Sequence, residues 1–186
     1  MARKESITIQ NILDTAFSMT REEGFINVTA RKVAARAGCS TQPIFRVYKN
    51  MDELWNAVYL KAVSFFQDYY SLYPRTGKAP FSNMGMAVIA FAREERNLFE
   101  LLFISQNVHR KSMYEVLNGD AGNVVYEINL AKSLGCTNPQ EMFMKMWIFI
   151  YGAACMTLTG DYDLSDRETM ELLEHSYESF SGNAAR

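Results

Sequence analysis

Cysteine and histidine are scarce in this sequence, with three of the first (Cys39, Cys136 and Cys155) and two of the second (His109 and His175). The cysteines are too few and too scattered for zinc-ligand spacing or a disulfide framework. They are expected to be small buried hydrophobes. The histidines lie far apart, so no metal site and no cofactor are expected. There is no low-complexity tract and no repeat period, which excludes a disordered or solenoid protein. No GxSxG, P-loop, dinucleotide-binding glycine fingerprint or HExxH occurs, so no enzyme is expected.

Long apolar runs are also lacking. The longest, Met146 to Leu158, contains Gly152 and Thr157 and falls short of the roughly 20 residues of a bilayer-spanning helix. It reads as a buried core helix, and no membrane partner is expected. The N-terminal Met-Ala-Arg-Lys-Glu-Ser carries charge with no apolar stretch after it, so a secretory signal is not expected and a cytoplasmic location is.

What is present is an ordinary globular balance, 48% hydrophobic and 22% charged over 186 residues. The net charge of −2 conceals an asymmetry. Residues 1–60 hold eight lysines and arginines against six acids, net +2, and the remainder holds eleven against fifteen, net −4. A slightly basic N-terminal segment on an acidic body is the charge pattern of a small DNA-reading head.

The apolar spacing is helical from end to end, and no segment alternates at period two for long enough to make a strand. Ile9, Ile12, Leu13, Ala16 and Phe17 form the stripe of a helix over 7–23, with Gly24 as a left-handed stop. Thr29 is placed to cap a second helix ended by Gly38. Ser40 is expected to cap a third, with Pro43 in its first turn and Ile44, Phe45 and Tyr48 as its apolar residues. Asn50 and Glu53 have the form of a capping box for a long fourth helix. Pro74, Gly77 and Pro80 mark a loop. Helices are expected at 81–94, 96–109, 113–117, 124–134, 138–158 with Asn138 as cap, and 165–180 with Ser165 and Glu168 as a capping box. The fold class is all-α.

Two short helices joined by a tight glycine-containing turn in a basic segment have the form of a helix-turn-helix. Such corners also occur in helical proteins that bind no nucleic acid, and the corner alone leaves both readings open. The residues around it are more specific. Ile12-Leu13-Asp14-Thr15-Ala16-Phe17, Glu23-Gly24-Phe25, Val28-Thr29, Val33-Ala34, Ala37-Gly38-Cys39-Ser40, Ile44 to Asn50 and Asp52-Glu53-Leu54 resemble the N-terminal domain of the TetR family of repressors. That resemblance implies a three-helix helix-turn-helix DNA-binding domain (residues 1–50) and a helical ligand-binding and dimerisation domain (51–186). It also implies a homodimer formed through the last two helices, double-stranded operator DNA as partner, and a small-molecule effector.

A recognition helix places its N-terminal side chains at base edges, which assigns Thr41, Gln42 and Pro43 to that role. Gln42 has the donor and acceptor to read adenine, and Thr41 and Pro43 suit a thymine methyl. Arg46, one turn on, is expected at a guanine edge or a phosphate, and Lys49 and Arg31 at phosphates. By the resemblance, Thr29 offers its hydroxyl and its helix N-terminus to a phosphate. Two departures stand out. Phe45 replaces a usual tyrosine, and Met51 a common lysine, so fewer phosphate contacts and a gentler salt dependence are expected, by about 0.9 in slope per contact.

For the body, Met84, Phe91, Phe99, Phe103, Tyr126, Met142, Met146, Trp147, Ile150 and Tyr151 are candidates to line an apolar cavity for a flat or hydrophobic effector. Any of them also serves as plain core. Met170, Leu173, Tyr177 and Phe180 repeat at helical spacing and, with 146–158, suit either a four-helix interface between two chains or packing within one. An alternative to an effector-released repressor is a redox-sensing or ligand-independent regulator.

Overall fold

A computed structural model describes residues 8–105 and 111–181. Among them there is no strand, and the helices are α1 (Ile9–Glu23), α2 (Ala30–Arg36), α3 (Gln42–Val47), α4 (Met51–Leu72), α5 (Ser82–Glu94), α6 (Arg96–Phe99), α7 (Met113–Asn118), α8 (Asn123–Ser133), α9 (Pro139–Thr159) and α10 (Asp166–Ser181). The fold is all-α. The expected helix over 96–109 is shorter: α6 passes into a π turn at Glu100–Ile104, and its last expected residues lie outside the described ones.

The chain forms two compact units. The first takes the N-terminal segment through Phe65 together with the segment that begins at Asn97, and the second takes Phe66–Arg96 and the segment from Lys111 on. Helix α4 therefore gives residues to both.

In the first unit α1, α2 and α3 surround a core of Ile12, Ala16, Met19, Val28, Val33, Ala34, Ile44, Leu54 and Val58. The small Ala16 and Ala34 are what let three short helices approach so closely. Thr8 caps α1 by accepting the Asn11 N–H at 3.1 Å. Gly24 ends it with φ 85° and ψ 150°, a positive φ as expected but an extended ψ, a region open in practice to glycine. The N-terminal half of α4 is pinned back onto this core. Trp55 donates its indole N–H to the Val28 carbonyl at 3.1 Å and packs on Phe25 at 5.7 Å. Lys61 of α4 pairs with Asp14 of α1 and lies over the Phe17 ring at 5.1 Å.

In the second unit α5 is the central helix, buried from Met84 through Ala92 and packed on α9 and α10. Gly85 makes that approach possible: a Cβ there would stand 2.8 Å from both Leu173 methyls and 3.1 Å from Ile150 Cγ1. Leu173 is thus covered within its own chain, which decides how the stripe Met170, Leu173, Tyr177 and Phe180 is used. Its inner part packs on α5. The expected caps at Asn138 and Ser165 are present, Asn138 accepting the Glu141 N–H at 3.2 Å and Ser165 the Glu168 N–H at 3.3 Å.

By length and composition α9 is apolar enough to cross a membrane. Its inner side, including Met142, Met146, Ile150 and Ala154, is buried in the second unit.

Candidate functional site

The third helix begins one residue later than the Ser40 cap predicts. Thr41 already has helical φ and ψ and makes no side-chain cap bond, and α3 starts at Gln42 with Pro43 in its first turn. The reason is the turn before it. Gly38 takes φ 68° and Cys39 donates its N–H back to Ala34 at 2.9 Å, so the chain is still closing the α2 corner at Ser40. Asn50 accepts the Glu53 N–H at 3.0 Å as a cap for α4. The Glu53 carboxylate reaches one residue past the expected partner, to the Lys49 N–H at 2.9 Å.

On α3, Ile44 is wholly buried and Val47 is half-buried against the head core. Gln42, Phe45, Arg46 and, just past the helix, Lys49 are exposed. The spacing of three and four puts Gln42, Phe45 and Arg46 on one face of the helix. Thr41 and Pro43 are half-buried at its N-terminal end. Thr29 is exposed at the start of α2, accepting the Lys32 N–H at 3.4 Å, and Arg31 is exposed in the first turn of that helix.

Internal pairing sorts the head's cations. Arg36 pairs with Glu22 and, at 3.2 Å, with Glu23, and Lys32 lies 3.6 Å from Glu23. These cations are partly neutralised. Lys49, its side chain 89% exposed, touches Glu53 only at 4.0 Å. No ion pair from Arg31 or Arg46 to another described residue occurs, which leaves their charge for an outside anion. Phe45 keeps 48% of its surface exposed, an apolar ring on an otherwise polar face.

Eight of the ten apolar body candidates belong to the second unit and two, Phe99 and Phe103, to the first. Met84, Phe91, Met146 and Ile150 are completely buried and Met142 and Trp147 nearly so, as core of the second unit. Phe99 and Phe103 stack at 5.0 Å in the first unit. Tyr126 is more than half exposed, and Tyr151 lies 5.8 Å from Trp147. Two surface clefts open on the second unit. One of about 450 Å³ is lined by Tyr73, Pro74, Met86, Met170 and Glu171. The other, about 570 Å³, lies beside Cys136, Asn138, Met142, Tyr177 and Phe180. Met142 is the one candidate that lines either.

A charged cluster in the second unit escaped sequence reasoning. Glu127 on α8 is 2% exposed, and its carboxylate accepts the Phe81 N–H at 2.6 Å. Phe81 holds φ 66°, a left-handed conformation that costs a non-glycine residue about 1–2 kcal/mol. Its wholly buried ring, 6.0 Å from Phe143 and 6.4 Å from Tyr177, and that short hydrogen bond hold it there. Burial pushes the Glu127 carboxyl up; the Phe81 N–H and the Arg75 charge pull it partly back. The Arg75 guanidinium sits 5.7 Å from the centre of Tyr70 and 5.8 Å from that of Tyr126. Burial, and then the Glu127 charge, push the Tyr70 hydroxyl up. One signal was legible: Val124, Glu127 and Ala131, spaced at three and four, are all buried, so an acid occupies an inward stripe.

An exposed helix face on a three-helix head, with arginines that make no ion pair to a described residue, has the form of a helix-turn-helix DNA-binding domain. Residues 12–58 match the family model of the bacterial regulatory proteins, tetR family. The match identifies a tetR-family DNA-binding domain over those residues of the chain. The whole fold is similar to that of a TetR-like transcriptional regulator from Rhodococcus sp. RHA1, at TM-score 0.63 and 18% identity over 93% of this chain and 95% of that one. It is also similar to a structure from Rhodococcus sp. assigned to the TetR family, at TM-score 0.61 and 16% identity over 92% of this chain and 97% of the other. No curated protein matches the chain.

Proposed function

We propose that the chain is a cytoplasmic, non-enzymatic repressor that binds a near-palindromic operator as a homodimer and is released by a small-molecule effector. Residues 1–50 are the DNA-binding domain and 51–186 the ligand-binding and dimerisation domain. The observation that carries this reading is the disposition of α3, with Ile44 buried and Gln42 and Arg46 exposed on the opposite side. A helix so presented can enter a major groove. Thr41, Gln42, Pro43 and Arg46 then meet base edges, and Thr29, Arg31 and Lys49 meet phosphates.

One short helix reads few base pairs, so two copies are needed. A two-fold pair spaces its recognition helices by about 34–36 Å, one turn of duplex. The exposed stripe Met144, Ile148, Gly152 and Met156 on α9, with Leu172 on α10, is the apolar surface such a pair would cover. Helix α4, continuous from Met51 to Leu72 and shared by both units, is the covalent route by which an effector held by body helices biases the head.

The test is a selected-site binding assay with purified protein. Enrichment of a two-fold symmetric site, lost on Arg46→Ala, supports the proposal. Equal affinity for selected and random duplex removes it. Titration of candidate effectors into the operator complex tests release separately.

A further inference from the structure

We propose that Tyr70, Tyr126 and Glu127 form a site for a small organic cation, which the guanidinium of Arg75 fills in the unliganded chain. This rests on the reading of the body as the effector-binding part and narrows the effector to a class. Three observations carry it. The Arg75 guanidinium lies against two aromatic rings, at 5.7 Å and 5.8 Å from their centres, the arrangement in which the negative ring faces hold a cation. Beside them lies a carboxylate that is 98% buried by area (2% exposed) and hydrogen-bonded to a backbone N–H. Among the described residues it has no ion pair within contact distance. A buried carboxylate without a contacting countercharge leaves much of its desolvation cost uncompensated, so a cation brought closer than Arg75 is held by both rings and carboxylate.

The third observation is access. Arg75 belongs to an irregular segment in which Pro74, Arg75 and Thr76 are all exposed. Tyr126 is 55% exposed. The guanidinium can leave without disturbing a helix, and the ring beside it already faces solvent. Arg75 then acts as a tethered competitor, present at the millimolar effective concentrations of a short linker. The ligand that fits is compact, permanently charged and weakly hydrated, such as a quaternary ammonium or an alkylguanidinium. A neutral aromatic gains nothing from the carboxylate, and an anion is repelled by it.

Choline is the probe, with its neutral carbon isostere, dimethylbutanol, as control. Titration calorimetry on the full chain reads affinity, and the N-methyl proton shift in NMR reports aromatic shielding. The isostere is expected to bind about tenfold more weakly than choline. Arg75→Ala is expected to tighten choline about tenfold by removing the tethered rival, and Glu127→Gln to weaken it about tenfold. Glu127→Gln keeps an oxygen for the Phe81 N–H, so it folds; the isostere comparison on the unmodified chain needs no substitution. Equal binding of choline and isostere overturns the site. So does no binding of choline to Arg75→Ala, or weaker binding than to the unmodified chain. Operator affinity is followed in parallel. Choline binding that leaves it unchanged refutes the effector reading and keeps the site, whereas operator release by a neutral compound with choline never bound does the reverse.

Discussion

Replacing Gly85 by alanine sets two opposed effects against each other. In a helix interior alanine is favoured over glycine by about 1 kcal/mol. The added Cβ, however, would stand 2.8 Å from both methyls of Leu173 and 3.1 Å from Ile150 Cγ1. Leu173 and Ile150 are both 0% exposed, so neither side chain has free space to swing into. Overpacking of this kind costs about 1–3 kcal/mol. The net expectation is a loss of about 0–2 kcal/mol, at about 2–4 °C in Tm per kcal/mol for a chain of this size. Because the helix term and the clash partly cancel, the sharper test is a double-mutant cycle with Leu173→Ala. Alone, that truncation costs about 2–5 kcal/mol. On the Gly85→Ala background it relieves the clash, and the two together cost less than their sum by about 1–3 kcal/mol. Thermal or urea unfolding at one fixed protein concentration measures it, since dimerisation would otherwise shift the midpoint. Additivity within about 0.5 kcal/mol refutes the close approach of α5 to α10 at this residue.

Arg46→Ala is expected to cost about 1–3 kcal/mol on the selected operator and much less on random duplex, as fluorescence anisotropy would show. Arg31→Ala should weaken both duplexes alike and lower the salt slope by about 0.9; an unchanged slope removes it from the backbone contacts. Glu127 has its folded-state pKa raised by burial, so between its unfolded and folded values the native state binds more proton and stability falls as pH rises. Glu127→Gln should therefore be more stable than the unmodified chain at neutral pH. The advantage narrows as pH falls through the raised carboxyl value and is gone below the unfolded one; a pH-independent difference in urea midpoint would contradict this. For Gly152, where an added Cβ meets nothing within 4 Å in the single chain, alanine should raise the stability of the dilute monomer by about 0.8–1.0 kcal/mol. If a second copy packs over this stripe, it should weaken the dimer by about 1–3 kcal/mol in sedimentation equilibrium. Unaltered dimerisation would place the interface elsewhere.

Helices were legible in the sequence because their signals are local. The Asn138–Glu141 and Ser165–Glu168 pairs mark helix starts through contacts three residues apart, and of the stripe Ile9, Ile12, Leu13, Ala16 and Phe17 all but the exposed Ile9 at the helix start are buried or half-buried. The start of α3 was misplaced because the Cys39 N–H reaches back to Ala34, a bond with no side-chain signature. The body was harder for a different reason. Apolar periodicity says that a face is covered and not what covers it, so Met84, Met146 and Ile150 read equally as cavity wall or core, and all three are buried. Phe99 and Phe103 share that composition yet belong to the other unit. Glu127 was passed over because an acid in a mixed helix looks solvated until its neighbours Val124 and Ala131 are seen to be buried with it.

The same argument bears on how α9 is used. A helix that packs on one side needs one apolar stripe, and Met142, Met146, Ile150 and Ala153 supply it against the rest of the body. Yet Met144, Ile148 and Met156 lie on the other side, 48%, 65% and 44% exposed, with Gly152 between them at the same spacing of four. Isolated exposed apolar residues are ordinary on protein surfaces, but an aligned row of them along a helix is a contiguous patch. Leu173, one position along α10 from the exposed Leu172, is spent inside the chain against Gly85. A step of one residue turns a helical side chain by about 100°, which separates the residue that holds the monomer together from the one free to meet a second copy. From Met146 to Met156 α9 carries apolar residues on both sides, and a second copy packed over the outer row, as proposed above, would bury the side that its own chain leaves uncovered.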